Sequence, residues 1–482
     1  MAERRLGDWL TYLEQLHPTE IELGLSRISA VATRMGLLPF PAKVVTVAGT
    51  NGKGSVVYCT EKVLREAGLR TGRYTSPHLL RYNERIAVDG LPCADSVILD
   101  AFRAIEAARD ETSLTYFEFA TLAALWVFRA YGVDVAILEV GLGGRLDAVN
   151  IVDSDVAVIT AIALDHQNWL GDTVEAIAPE KAAVARRGRA VILAESDYPR
   201  SLHTSLSMLG AVPECAGHSW RWAIDAHGQQ LTVWLSPGAE PLHLTVPSGL
   251  RPANVAAAVK ACSLVVNDRT RLDAAAQTLD ALLVPARRQE IAIAGRTLVL
   301  DVAHNPAAMS ALVSFLNATP VAGRSAAALG VMADKDVAGI CKILAAGVSG
   351  ACAMDIPGID RAESAERLWE MLDAERIAIS QSEFSVEAVW TRLWEGTGEG
   401  DRIVICGSFH TVANVVSFLV DTEGVWSEQL PRDLDLDSQV LPEQMSSRTT
   451  DAKVAAKLGS KVGAATTAVT PSGDTARTAA HG

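Results

Sequence analysis

The sequence predicts an α/β protein: a parallel sheet followed by a second, smaller α/β unit. Three observations predict it. Apolar, β-branched runs at Val44–Val47, Val133–Val140 and Asp155–Ile162 alternate with helical segments, the pattern of strands buried on both faces. A glycine-rich loop, Gly49-Thr-Asn-Gly-Lys-Gly-Ser55, joins the first run to a helix. The alternation then stops at Pro285-Ala-Arg-Arg-Gln289 and restarts beyond it. A chain of 482 residues also exceeds what one core usually serves. The expected domains are therefore 1–285 and 286–428.

The first helix should run from Ser55 to Ala67 and end at Gly68, with a loop around Ser76-Pro77-His78. Phe117–Tyr131 reads as a buried helix, and Val174–Arg187 as another. Residues 214–246 change character: Trp220, Trp222 and Trp234 stand among alternating polar residues, as in an antiparallel addition. Ala-rich helices are expected at Ala253–Val265 and Leu272–Leu283. In the second unit, strands are expected at Thr297–Val302, Ala326–Val331 and Ile403–Cys406. Helices are expected at Pro306–Asn317, from Asp336, and at Thr411–Val420. From 429 to 482 the chain is rich in Ala, Thr, Ser and Asp and lacks aromatics, which predicts a disordered tail, with one helical hint at Ala452–Leu458.

Composition excludes several function classes. A formal net charge of −14, with no offsetting basic stretch, argues against nucleic-acid binding. The N-terminal stretch lacks a signal peptide's apolar core and no run is long enough to span a bilayer. Seven scattered cysteines without a C-x-x-C pair suit buried thiols in a reducing cytoplasm. No membrane or nucleic-acid partner is expected.

The loop from Gly49 to Ser55 calls for a phosphate. Gly49, Gly52 and Gly54 leave backbone N–H groups free to turn around an anion, Lys53 adds a positive charge, and the following helix contributes its N-terminal dipole. In the general pattern a Ser or Thr follows the lysine and binds Mg²⁺; here that residue is Gly54, so the ligand must come from elsewhere. Ser76 is a candidate donor of the hydroxyl. Glu139 ends a predicted strand and opens Glu139-Val-Gly-Leu-Gly-Gly-Arg-Leu-Asp147, where Arg145 and Asp147 could address a substrate's polar groups. Leu164-Asp165-His166 lies past the next strand, so Glu139 and His166 could converge on one ion. Asp301-Val-Ala-His304-Asn-Pro306 repeats the strand-end pattern in the second unit; Asn305-Pro306 reads as a helix cap, which leaves Asp301 and His304 unexplained.

Together these motifs resemble the folylpolyglutamate synthase family, the folate branch of the Mur-type amide ligases, over roughly residues 6–425. The residues that carry the likeness are Thr-Val-Ala-Gly-Thr-Asn-Gly-Lys-Gly, Ser-Pro-His-Leu, Tyr-Phe-Glu, Glu-Val-Gly-Leu-Gly-Gly-Arg-Leu-Asp-Ala, Leu-Asp-His, Glu-Lys-Ala and Asp-Val-Ala-His-Asn-Pro. The likeness is greatest to the bacterial bifunctional type.

The resemblance implies a P-loop NTPase-like ATPase domain, which also binds the pterin, and a Rossmann-like C-terminal domain on the glutamate side. It implies a monomeric ligase that uses ATP and two magnesium ions to join L-glutamate to dihydropteroate or to reduced folates. The narrower alternative is an enzyme that only lengthens folate chains; the non-catalytic alternative is a nucleotide switch.

By the same resemblance, Gly49, Thr50, Asn51, Gly52, Lys53, Gly54, Ser55, Asn254, Arg287 and Asp301 would contact ATP, and Ser76, Glu139 and His166 would hold magnesium. Glu22, Leu23, Gly24 and Leu25, with Thr115, Tyr116, Phe117 and Glu118 and with Leu146, Asp147 and Ala148, would surround the pterin acceptor. Lys53, Lys181 and His304 would act in catalysis, and Ser408 would face the incoming glutamate. Lys181 would be carbamylated; read from the sequence alone it is a surface helix residue. Three departures stand out. The hinge carries two arginines, so the nucleotide contact falls on Arg287 or Arg288; Ala333 replaces a histidine before Asp334-Lys-Asp336; and Pro179 occupies a helical position.

Overall fold

The computed structural model describes residues 4–421, so the expected tail and the hint at Ala452–Leu458 lie outside the described residues. The apolar runs before Pro285 form one eight-stranded sheet: β1 (Lys43–Ala48), β2 (Thr71–Tyr74), β3 (Ile86–Val88), β4 (Leu91–Pro92), β5 (Val135–Glu139), β6 (Val156–Ile159), β7 (Ala190–Leu193) and β8 (Val212–Cys215). The order is β4-β3-β2-β5-β1-β6-β7-β8; the six strands from β2 to β8 are parallel, and β3 and β4 add an antiparallel edge. Every residue of β5 and β6 is buried, as apolar runs broken only by Glu139 at the end of β5 require.

One face of the sheet presents Val45, Val47, Val135, Ile137, Val156 and Val158 to the Lys53–Glu66 and Pro252–Ser263 helices. In the second of these helices Ala253 to Cys262 are all buried, and the alanines let the two helices approach closely. The Tyr116–Tyr131 helix starts with a reciprocal cap, Thr115 with Glu118, and stops at Gly132 in the left-handed conformation.

The Trp-rich region is antiparallel as expected: β9 (Arg221–Ile224), β10 (Gln230–Trp234) and β11 (Leu242–Thr245) form a separate sheet. Its expected start is corrected, because residues 212–215 are β8 of the main sheet. Buried Trp220 joins the two, donating its indole N–H to the Glu214 carbonyl at 3.0 Å. The helix expected to reach Arg187 ends at Ala182. The Arg186 guanidinium binds the carbonyls of Ala183, Val184 and Ala185, which a continuing helix would have used.

Beyond Pro285 lies a five-stranded sheet: β12 (Gln289–Ile293), β13 (Arg296–Leu300), β14 (Ser325–Leu329), β15 (Gly350–Ala353) and β16 (Arg402–Cys406). The order is β12-β13-β16-β14-β15, antiparallel only at β12. Apolar clusters cover both faces. The described residues belong to one compact unit, and none of their helices is long and apolar enough to cross a membrane.

Candidate active site

β1 is where the sheet's connections reverse, since β5 lies on one side of it and β6 on the other. Ligands of open parallel sheets sit at such a point, beyond the strands' carboxyl ends. Glu139 and His166 follow consecutive strands in the chain, but those strands are not neighbours: β1 and its loop lie between them.

The loop's shape rests on its glycines. Gly52 has φ +93, and a β-carbon there would meet the Asn254 amide at 2.5 Å; at Gly49 it would lie 1.8 Å from Thr160 Oγ1. Gly49→Ala is therefore expected to cost about 2–4 kcal/mol through overpacking and backbone strain, read as a lowered urea midpoint. The helix begins at Lys53, two residues earlier than expected. Lys53 Nζ donates to the carbonyls of Gly49 and Thr50, both at 3.1 Å. Burial lowers its pKa, against the opposing charges of Glu139 and Asp165.

Position 54 faces two ionic groups. A β-carbon on Gly54 would sit 3.5 Å from an Arg287 nitrogen and 3.7 Å from both Glu139 oxygens. Between the two hinge arginines this places Arg287 beside the phosphate loop, whereas the Arg288 backbone N–H holds Asp301 at 2.9 Å.

Glu139 is buried, and its carboxylate accepts a long hydrogen bond, 3.3 Å, from the Ser76 N–H. Burial raises its pKa, with Lys53 and Arg287 pulling it back. A desolvated carboxylate beside a serine suits a hard divalent cation. His166 lines the same cavity, and burial lowers its pKa to about 4, so its imidazole is neutral and able to ligate near pH 7. Among the described residues no three His, Cys, Asp or Glu side chains gather into a metal cluster. A cation held by Ser76, Glu139 and His166 would thus complete its shell with water and phosphate oxygens, as magnesium commonly does.

Lys181 is buried, which corrects the surface reading. Its Nζ donates to the Gly49 carbonyl at 2.9 Å, and burial, with Lys53 adding to it, lowers its pKa to about 7. The Glu139–Asp147 loop packs straight onto this helix: a β-carbon at Gly144 would lie 2.5 Å from the Glu180 carbonyl. Arg145 takes no part in the cavity; it is exposed and pairs with Glu180 at 2.9 Å. Asp147 lines the cavity, but its oxygens accept the N–H groups of Gly141, Leu142 and Val149, so it shapes the loop.

The acceptor segments are tied by charge. Glu22 pairs with His17 and Arg27, and Arg27 reaches Glu118, the residue that caps the Tyr116 helix. The tip of the Phe117 ring abuts Gly141, where a β-carbon would meet it at 2.7 Å. Ser408 caps the Phe409–Asp421 helix, accepting the Thr411 N–H at 3.0 Å.

One cavity of about 1000 Å³ is lined by every expected site residue except Arg145 and Leu25, the latter half-buried just before the Ser26–Arg34 helix. Asp165 and Lys335 are among the lining residues that had no assigned role. Asp165 accepts from Lys335 at 2.7 Å and Asn305 at 3.0 Å, and lies 3.3 Å from His304. Burial acts to raise its pKa, but His304, with His166 and Lys335, holds it far below the usual range. The signal was present in Asp165-His166 and Asp334-Lys-Asp336, but only folding shows that they meet.

The Mur ligase middle domain model matches residues 47–259, and the Mur ligase glutamate ligase domain model matches 286–409. The chain is 40% identical to the dihydrofolate synthase/folylpolyglutamate synthase of Escherichia coli K12, spanning 87% of this chain and 96% of that one. It is 31% identical to the folylpolyglutamate synthase of Lacticaseibacillus casei, over 70% of this chain and 82% of that one. The fold superposes on E. coli FolC in complex with DHPP and ADP with a TM-score of 0.82 at 38% identity, covering 88% of this chain and 100% of that one. It also superposes on a bifunctional folylpolyglutamate synthase/dihydrofolate synthase with Mn, AMPPNP and L-glutamate bound, with a TM-score of 0.79 at 41% identity, covering 87% and 99%. The chain belongs to the Mur ligase family, in the folate branch of dihydrofolate and folylpolyglutamate synthases.

Proposed function

We propose that the protein is an ATP-dependent ligase joining L-glutamate to dihydropteroate, and to folates, through an acyl phosphate. A carboxylate resists attack by an amine because its leaving group would be an oxide ion. Transfer of the γ-phosphoryl group from ATP gives a mixed anhydride; the amine of glutamate then attacks its carbonyl carbon and phosphate leaves. The protein's task is charge neutralisation and positioning.

The loop N–H groups and Lys53 cradle the phosphates, and Arg287 supports them from the hinge. The buried Asn254 Oδ1 has no partner, and it suits the exocyclic amine of an adenine. Asp301 holds the hinge beside the nucleotide through the Arg288 and Ala303 N–H groups. Ser76, Glu139 and His166 would hold magnesium, which supplies positive charge to the phosphate oxygens. The pterin acceptor occupies the 22–25, 115–118 and 146–148 side, while His304 and Ser408 face the glutamate. On this reading residues 1–285 form the ATP and acceptor domain and 286–428 the glutamate domain. The enzyme works as a monomer in the cytoplasm, where its seven unpaired thiols stay reduced.

The observation that carries this reading is the single cavity joining the phosphate loop and Glu139 to His304 of the second sheet. With ATP and Mg²⁺, purified protein is expected to convert dihydropteroate and glutamate to dihydrofolate, and to release ADP only when both are present. Glutamate addition to tetrahydrofolate alone would leave a chain-lengthening enzyme. ADP release without an acceptor would favour a nucleotide switch.

A further inference from the structure

We infer that Asp165 is a positioning residue that docks the second domain onto the phosphate loop, acting with Asn305 and Asn51. Asp165 follows β6, and its side chain is 5% exposed. Two donors reach it from beyond Pro285, Lys335 Nζ at 2.7 Å and Asn305 Nδ2 at 3.0 Å, and His304 Nε2 lies 3.3 Å away. Its own backbone neighbour, the His166 N–H, adds a third donor at 2.9 Å. Asn305 then pairs amide to amide with Asn51 of the phosphate loop, at 3.0 and 3.1 Å. Thr50 continues the stitching, exchanging hydrogen bonds with Ala163 just before Asp165.

This arrangement can exist only while the domains are docked. Undocking strips the carboxylate of two donors and leaves the loop amide unpaired. The docked pose therefore holds His304 and Lys335 at the reaction centre and fixes Asn51 in the same movement. Water is kept from the acyl phosphate while docking lasts. The inference rests on the functional reading for its kinetic consequence, but not for its structural one.

Asn305→Asp is a selective test. The Oδ1 that accepts the Ala308 N–H at 2.9 Å survives, so the helix cap remains, while both amide donors are lost and a second carboxylate faces Asp165. Asp165→Asn is the partner change. Each is expected to release about three ADP or more per amide formed, against near one for the parent. Each is also expected to raise the glutamate KM about tenfold, with the ATP KM within about twofold. The double variant restores one amide facing one carboxylate and is expected to regain most of the coupling. Parental stoichiometry and glutamate KM in both single variants would overturn the inference. So would a double variant as leaky as the two losses combined. Small-angle scattering with an ATP analogue reads docking without turnover: a larger radius of gyration in both single variants is expected, and an unchanged one overturns it. If the parent protein makes no amide, the functional reading fails while the scattering result still decides the docking.

Discussion

Lys53→Met is expected to lower kcat for amide formation by about 10³-fold, roughly 4 kcal/mol of transition-state stabilisation. The ammonium is fixed in advance by the Gly49 and Thr50 carbonyls, both at 3.1 Å, and so costs no reorganisation as charge moves onto the transferring phosphoryl group. Burial lowers the lysine's pKa; Glu139 and Asp165 oppose that shift and favour the cation. Arginine is not a substitute, because a planar fork cannot occupy the point between two carbonyls where Nζ sits. The change touches no core cluster, so the thermal midpoint is expected to stay within a few degrees. Quenched-flow measurement of ADP formation, with ATP binding followed separately, checks the claim. A kcat within tenfold of the parent would remove Lys53 from the chemistry and leave it as a loop brace.

The parallel core was legible because strands buried on both faces are apolar along their length, as β6 is throughout and β5 is up to Glu139 at its end. Among the elements that were not read are β12 and β15. β12 alternates buried with exposed residues and turns back through Ala294 and Gly295, both at positive φ. β15 reads Gly-Ala-Cys-Ala, with no β-branched residue to mark it. The Ala365–Ala374 helix did carry a signal: its buried Leu368 and Leu372 lie four residues apart behind a Ser364 cap.

For the site, strand ends were legible and neighbours were not. Chain order makes the strands of Glu139 and His166 adjacent, whereas sheet order inserts β1 and the phosphate loop between them. That insertion lets the carboxyl ends of β5 and β6 flank the Gly49–Ser55 loop. Asn305 was readable as a cap and is one; its second role depends on Asn51 and Asp165, each more than 100 positions away. Lys181 is the sharpest case, since nothing local distinguishes a buried helical lysine from a solvated one.

Carbamylation of Lys181 is the expected modification with the second large effect. Lys53 and Lys181 both donate to the Gly49 carbonyl, at 3.1 and 2.9 Å, so two cationic side chains share one oxygen inside the protein. Repulsion adds to burial and lowers the Lys181 pKa to about 7. Below that pH the ammonium form dominates and cannot react with CO₂; above it the neutral amine can, losing a proton as the carbamate forms. The product is an anion beside Lys53, so repulsion becomes attraction, and it offers two oxygens to a second cation. Carbamate signal in ¹³CO₂ NMR, at fixed dissolved CO₂, is therefore expected to rise as pH goes from about 6 to 8. Lys181→Ala is expected to lose about 10²–10³-fold in kcat. Short carboxylic acids are expected to restore part of it, since acetate can enter the vacated space and supply the missing anion, while Lys181→Met gains nothing because the space stays filled. If the alanine variant keeps more than a third of the parental kcat, or the parent shows no carbamate at pH 8, then Lys181 is a neutral brace for the Gly49 carbonyl and the second cation has lost its ligand.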